Sequence, residues 1–258
     1  GLQPVRRAPG QLPWGSATLR GFSWASMPLP GPVAVQELGV AAEQIKVIVD
    51  STRELGAGQT TGSRGTLMGA GAVQDACRNA LLDGCQVGLD YEGTYRINWT
   101  NSLSEGLENP VIHSTFGYAS QVVILNPDNG EVSNVVAAHD VGRAVNPMLC
   151  EGQIEGAVHM GLGYALTEGF PTDSSGRPTN MTFRSLDIIR PKDMPPVDVI
   201  IIESPQPGAP YGIKGVGEIG LVPTAGAVAA AIRSHGDSWP TELPMRNLAN
   251  RERADAWT

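Results

Sequence analysis

The stretch ASQVVILNPDNGEVSNVVAA, residues 119–138, has the clearest secondary-structure pattern in the chain. Two runs rich in Val and Ile, at 119–125 and 132–138, flank the segment NPDNG at 126–130. Asn-Gly between two such runs is a strong hairpin signal, because both residues tolerate the positive φ of tight turns. The sequence therefore predicts two strands joined by a turn.

The segment that follows this hairpin has a helical pattern from about 149 to 168, and it contains four glycines (Gly152, Gly156, Gly161 and Gly163). Each interior glycine costs a helix about 1 kcal/mol relative to alanine. We therefore expect close packing of the helix backbone against a neighbour or a ligand to offset that cost.

The rest of the chain alternates between helical and extended patterns, which predicts an α+β fold with mixed β-sheets flanked by helices. Residues 1–32 are rich in Pro and Gly and are expected to be an irregular N-terminal segment, with one domain over 33–258. Residues 84–115 show no period and are also expected to be irregular. The further predicted elements are a short helix within 33–45, a strand at 45–49, a helix at 66–82, a strand at 197–202 and a helix at 223–233.

Composition excludes several classes of protein. The 258 residues carry a formal net charge of −8, which argues against nucleic acid as a partner. No apolar run reaches the roughly 18 residues of a membrane span, so no membrane association is expected. Three cysteines without a CxxC pair favour a reducing, cytoplasmic location and are too few to ligate an iron–sulfur cluster. The four histidines lack zinc-helix spacing, so no protein-ligated metal is expected.

The segment GAGQTTGSRG at 56–65 is a glycine-rich loop that leads into the predicted helix at 66–82. Backbone N–H groups and hydroxyls at a helix N-terminus favour anions, so the loop could cradle a phosphate or a similar group. It lacks the GK[ST] ending of a P-loop. An ordinary N-capped helix explains the spacing equally well.

The segment KGVGE at 214–218 places one carboxylate, that of Glu218, among glycines whose backbone can approach a bulky group closely. Glu218 is either a general base or an acid that complements the dipole of a following helix. Gln153, in EGQIEG at 151–156, is either a capping group or an amide that faces a ligand. His139, His159 and Cys150 are interpreted as structural.

Three segments together resemble the molybdopterin-binding portion of the xanthine dehydrogenase/aldehyde oxidase family: DSTRELGAGQTTGSRGTLMGAGAVQDAC, FGYASQVVILNPDNGEVSNVVAAHDVGRAVNPMLCEGQIEGAVHMGLGYALTE and YGIKGVGEIGLVPTAGAVAAAI. They occur in the family's order and cover roughly residues 33–248. The resemblance is closest to the selenium-dependent xanthine dehydrogenase (purine hydroxylase) branch.

The resemblance implies a role for each of seven residues. Glu218 would be the catalytic base beside the molybdenum, and Gln153 would hydrogen-bond the pterin. The metal would be held by the dithiolene of its pterin and not by protein side chains. The remaining cofactor-binding residues would be Gly62, Ser63, Gly65, Gly215 and Gly217.

The implied activity is hydroxylation of a purine such as xanthine or hypoxanthine, or of a related N-heterocycle, with water as the oxygen source. The implied cofactor is molybdopterin, either plain or as its cytosine dinucleotide, with sulfur or selenium at the metal. Iron–sulfur clusters and FAD are expected on partner subunits. The family's upstream half is expected in trans. The stretch before the first helix contains a GQG motif in the family, and ASMPLPGP at 25–32 replaces it here. A non-catalytic molybdopterin-binding scaffold, an inactive fragment and an unrelated nucleotide-binding module stay open as alternatives.

Overall fold

A computed structural model describes the chain in five ranges, which form two compact units. The first unit comprises Gly1–Phe116 with Ser204–Gly215, and the second comprises Gly117–Glu203 with Val216–Thr258. The described residues are 18–20, 30–47, 62–179, 182–236 and 239–245.

The first unit is built on two helices and a short parallel strand pair. Helix α1 (Pro30–Leu38) packs on helix α2 (Gly65–Leu82), which contacts the pair formed by β1 (Thr18–Arg20) and β2 (Asp90–Glu92). Helix α2 confirms the helix predicted at 66–82. Its alanines and glycines provide a smooth buried face, so neighbouring backbone can approach closely.

Glycine allows that close approach at one position in particular. A Cβ built on Gly93 would lie 2.9 Å from the Cα of Ala76 in α2. No side chain fits in that space, because carbon atoms in contact lie about 3.5–4.0 Å apart. The backbone after β2 is therefore held directly on the helix.

The second unit is a mixed three-stranded sheet with the order β3–β4–β5. Strands β3 (Ala119–Leu125) and β4 (Val132–Asp140) are antiparallel, and β5 (Val197–Ile202) is parallel to β4. A parallel pair needs a crossover connection, and helix α3 (Pro147–Leu166) lies in that connection. Helix α4 (Thr224–Gly236) packs on β3 and on α3. The predicted hairpin and the strand at 197–202 are thus confirmed.

The core of this unit lies between the sheet and the two helices. Alternate residues of β4 point inward, and the helices contribute an apolar stripe. The innermost side chains are completely or almost completely buried: Val135, Ala137, Ile154, Val158, Leu162, Ala165 and Val228.

Three local predictions differ from the structure. Residues 45–47 form no strand and follow a 3₁₀ turn at Ala42–Gln44, so the predicted strand at 45–49 is wrong there, and 48–49 lie outside the described residues. A β-branched run becomes a strand only where a neighbouring strand accepts its hydrogen bonds. Strand β2 lies within the stretch at 84–115 that was expected to be irregular. The predicted irregular segment 1–32 contains β1 and the first residues of α1, which begins at Pro30.

The overall class is as predicted. The described residues form four α-helices and a mixed sheet, which is an α+β arrangement. None of the described helices combines the length and the hydropathy that a bilayer crossing requires.

Candidate functional site

The first group of predicted residues lies at the N-terminus of α2. Gly62 and Ser63 both have left-handed backbone, with φ of 59° and 54°, and Gly65 is the buried first residue of the helix. Consecutive residues at positive φ turn successive N–H groups to one side, which favours a small anionic or polar group. The loop upstream, residues 56–61, lies outside the described part of the chain.

Gly215 lies directly against this turn. A Cβ built on Gly215 would lie 2.7 Å from the carbonyl oxygen of Ser63 and 2.9 Å from its Cβ, so only glycine fits. Lys214 beside it is buried, with 6% of its surface exposed. The first unit therefore brings together Gly62, Ser63, Gly65 and Gly215.

The chain reaches Gly215 through a strained turn that sequence reasoning missed. Tyr211 has a φ of 55°, a conformation that costs a non-glycine residue about 1–3 kcal/mol. Its hydroxyl donates to the carboxylate of Glu37 in α1, which also accepts from Nε2 of Gln74 in α2 at 2.6 Å. Burial, followed by the adjacent Glu37 carboxylate, raises the pKa of Tyr211 above its ordinary value. These hydrogen bonds join both helices to the turn.

The second group lies on α3, where the four glycines fall into two classes. A Cβ on Gly161 would lie 2.5 Å from Cβ of Thr224, and one on Gly163 would meet the Glu168 carboxylate. A Cβ built on Gly152 or Gly156 would meet nothing within 4 Å beyond the helix itself, so packing among the described residues accounts for Gly161 and Gly163 but not for these two.

Gln153 follows the first of the open glycines and is itself exposed. The helix starts at Asn146, whose side chain accepts from the N–H of Leu149 at 3.2 Å. Since Asn146 supplies the cap, the capping role considered for Gln153 is not needed. An exposed amide between two open stretches of helix backbone can donate to and accept from a flat heterocycle.

Glu218 is exposed, and the half-buried Gly217 precedes it. Glu218 begins a turn in which the N–H of Leu221 donates to the Glu218 carbonyl at 3.2 Å. Glu218 therefore lies before α4 and not in the first turn of that helix. Gly220 in this turn packs on α3, where a Cβ would meet the Cβ of Ala157 at 2.6 Å and the carbonyl oxygen of Ile154 at 3.1 Å. The turn that carries Glu218 is thus held on the part of α3 that follows Gln153.

Two polar residues behind this turn, one half-buried and one buried, were not singled out as functional from the sequence. Gln121 in β3 donates from Nε2 to the carbonyl oxygen of Gly220 at 2.7 Å, and its Nε2 lies 3.2 Å from Nε2 of His139 in β4. His139 is completely buried, and burial lowers its pKa. A polar residue at an inward position of the apolar run ASQVVIL was the available signal.

The cysteines show no sign of a metal site. All three are free thiols, and burial raises the pKa of Cys77 to about 12, with the Glu37 carboxylate as the next cause. Such a thiol is a poor nucleophile at neutral pH. In the described ranges no group of three or more His, Cys, Asp or Glu side chains could hold a metal ion.

Comparison with known proteins shows the family to which the chain belongs. The family described as "Molybdopterin cofactor-binding domain" matches residues 32–83 and 79–195. A probable xanthine dehydrogenase subunit of Bacillus subtilis is 29% identical over 252 residues, which cover 83% of this chain and 34% of the relative. The 6-hydroxypseudooxynicotine dehydrogenase complex subunit gamma of Paenarthrobacter nicotinovorans is 33% identical over 127 residues, covering 48% of this chain and 16% of the relative.

The fold is also similar to that of a solved structure. A solved structure of aldehyde oxidoreductase from Desulfovibrio gigas superposes with a TM-score of 0.72 at 24% identity, covering 91% of this chain and 29% of that one. The chain therefore spans about a third or less of the length of these relatives. The chain belongs to the molybdopterin cofactor-binding domain family, as the corresponding portion of the xanthine dehydrogenase/aldehyde oxidoreductase proteins.

Proposed function

We propose that this chain supplies part of the active site of a molybdenum hydroxylase, with Glu218 as its catalytic base. The observation on which the proposal rests is the packing of Gly220 on Ile154 and Ala157. That contact holds an exposed carboxylate and the exposed amide of Gln153 on one local framework.

The residues present fit a bulky, flat and anionic group such as molybdopterin. Gly215 and Ser63 meet backbone to backbone, and the left-handed turn at Gly62 presents its N–H groups beside them. Open backbone at Gly152 and Gly156 leaves a path to Gln153 that a side chain would narrow. We assign Gly62, Ser63, Gly65 and Gly215 from the first unit, and Gln153 and Gly217 from the second, to cofactor binding.

The chemistry divides between the cofactor and the chain. Molybdopterin, either plain or as its cytosine dinucleotide, supplies the metal that transfers oxygen from water and takes up two electrons. Glu218 must be ionised before turnover so that its carboxylate can accept a proton at the reacting centre. Gln153 orients the pterin through its amide. The upstream half of the domain would cover Glu218 and exclude bulk water, which strengthens the action of a base.

The proposed substrate is a purine such as xanthine or hypoxanthine, or a related N-heterocycle, and the electrons pass to iron–sulfur and FAD subunits. The names of two relatives, a xanthine dehydrogenase subunit and a subunit of a dehydrogenase complex, support an assembly of this kind. We place the complex in the cytoplasm, with sulfur or selenium as the terminal metal ligand.

A non-catalytic molybdopterin-binding scaffold, or an inactive fragment, is the second candidate. Two observations support this alternative: Glu218 is exposed, and the chain covers 34% of the length of the xanthine dehydrogenase subunit. In this alternative the chain binds the cofactor and a partner, and Glu218 takes no part in turnover.

The deciding experiment purifies the full chain with the proteins that accompany it and measures molybdenum, pterin and purine hydroxylation. Wild type is compared with Glu218→Gln and with Glu108→Gln, a matched change at another exposed position. We expect all three to hold the cofactor and only Glu218→Gln to lose turnover. Cofactor without turnover in the wild type, with every redox subunit present, would favour the scaffold. Absence of Mo-pterin from the intact complex would exclude both candidates.

A further inference from the structure

Gln121 is a half-buried polar residue at an inward position of β3, between Ala119 and Val123. Its Nε2 donates to the carbonyl oxygen of Gly220 at 2.7 Å, which joins residues 99 apart in the sequence. Gly220 lies two residues after Glu218. The hydrogen bond therefore ties the central sheet to the turn that presents the proposed base.

The Gly220 carbonyl fixes which way the Gln121 amide faces. With the amide reversed, Oε1 would stand 2.7 Å from another carbonyl oxygen, and two acceptors at that distance repel each other. Nε2 must therefore face Gly220. The same nitrogen lies 3.2 Å from Nε2 of His139, so its second hydrogen points to the imidazole.

The orientation of Gln121 in turn fixes the tautomer of His139. An amide nitrogen has no acceptor lone pair, so Nε2 of His139 must accept, and the single ring proton resides on Nδ1. The ring is completely buried, and burial lowers its pKa, in agreement with a neutral imidazole. His139 thus acts as an acceptor that keeps Gln121 pointed at Gly220.

Stability does not explain the presence of this pair. Oε1 of Gln121 and Nδ1 of His139 are buried with no hydrogen-bond partner in the described ranges. Unsatisfied buried polar atoms cost free energy, and an apolar pair of the same shape is usually neutral or stabilising. What the pair provides beyond packing is the directed bond to Gly220.

The turn is held at further points. The Gly220 carbonyl also accepts from Oγ1 of the buried Thr224 at 3.0 Å, and Gly220 packs on α3. A Cβ on Gly117 would collide with the side chain of Ile219, so the backbone that leads into β3 lies directly beside the turn. Gln121 adds a hydrogen bond from the middle of the sheet.

We propose that Gln121, oriented by His139, is a positioning residue for Glu218: it holds the Gly220 carbonyl and so fixes the turn that aims the carboxylate. The proposal rests on the proposed function insofar as Glu218 is the base. Its structural part, the fixing of the turn, can be measured in the chain itself.

The test uses Gln121→Met in the purified full chain with its accompanying proteins, because Met has nearly the same volume but cannot donate. We expect amide exchange at Leu221 and Val222, the N–H groups that close the turn, to rise about 2- to 10-fold, as for loss of one hydrogen bond. Melting temperature and pterin content should stay at wild-type values. With KM unchanged, kcat should fall about 10- to 100-fold, the effect of a misplaced catalytic group.

A matched pair at His139 separates positioning from packing. His139→Gln keeps an acceptor near the position of Nε2 and should leave exchange and kcat close to wild type. His139→Leu removes the acceptor and should reproduce Gln121→Met. Unchanged exchange in Gln121→Met, or parallel losses of melting temperature and pterin in that variant, would overturn the proposal. The Glu218→Gln variant tests the proposed function separately. If that variant keeps full activity, Glu218 is not the base, and the amide exchange of Gln121→Met still shows whether Gln121 fixes the turn.

Discussion

Gly220→Ala should destabilise the second unit and displace the Glu218 turn. The new methyl group would lie 2.6 Å from Cβ of Ala157 and 3.1 Å from the carbonyl oxygen of Ile154. Carbon atoms in contact lie about 3.5–4.0 Å apart, so the turn and α3 must separate by about 1 Å. Neither neighbour is the mobile end of a side chain. Overpacking of this kind typically costs about 1–3 kcal/mol.

The assay is thermal unfolding followed by circular dichroism, with chemical denaturation as a second measure. At about 2–4 °C per kcal/mol for a chain of this size, the melting temperature should fall by about 2–12 °C. Gly226→Ala is the matched control, since Gly226 is exposed in α4 with nothing within 4 Å of a built Cβ. That variant should be unchanged or gain up to about 1 kcal/mol from reduced chain entropy.

The two variants together decide whether the turn lies against α3. If Gly220→Ala melts at or above the wild-type temperature while Gly226→Ala behaves as expected, the close packing of Gly220 is refuted. The proposed framework that joins Glu218 to Gln153 would then be refuted with it.

Three further outcomes follow from the structure. Because burial lowers the pKa of His139 from 6.5, the stability of the fold should be unaffected by this histidine above pH 6.5 and should decrease as the pH falls towards the folded-state pKa. The melting temperature of His139→Gln should lack that component of the pH dependence, and an identical pH profile would contradict the assignment. Iodoacetamide at pH 8 should alkylate Cys150, which is half-buried, before Cys77, whose pKa is about 12, and mass spectrometry of timed samples will give the order. Asn146→Ala should cost about 1 kcal/mol in urea unfolding because it removes the side-chain cap of α3, and an unchanged midpoint would show that the cap contributes nothing.

Local patterns predicted the elements that local interactions determine. The hairpin at 119–138 follows from its turn residues, and helix α2 follows from the period of its apolar residues. Both signals come from residues that are close together in the sequence. The stretch 45–47 shows what local patterns do not predict. Its Ile and Val favour a strand, but strand formation depends on a hydrogen-bonding neighbour that the segment itself cannot supply.

Residues of the candidate site were likewise predicted only where local sequence patterns indicate them. The glycines at 62, 65 and 215 stood out as places where backbone must approach closely, and Gly215 does lie against Ser63. The sequence does not distinguish the open Gly152 from the packed Gly161, because the difference lies in Thr224, a residue far along the chain. Gln121 was missed because its partner, Gly220, is 99 residues away.

That long separation between Gln121 and Gly220 also has a consequence for how the chain folds. Contacts between residues distant in sequence close large loops, and the entropy of loop closure delays their formation. The turn bearing Glu218 can be set only after β3, α3 and the parallel β4–β5 pair have assembled, and we expect its amides to gain protection among the last in a refolding experiment. A chain interrupted before Gly220 during synthesis would contain nearly all of the sheet and no defined position for its carboxylate.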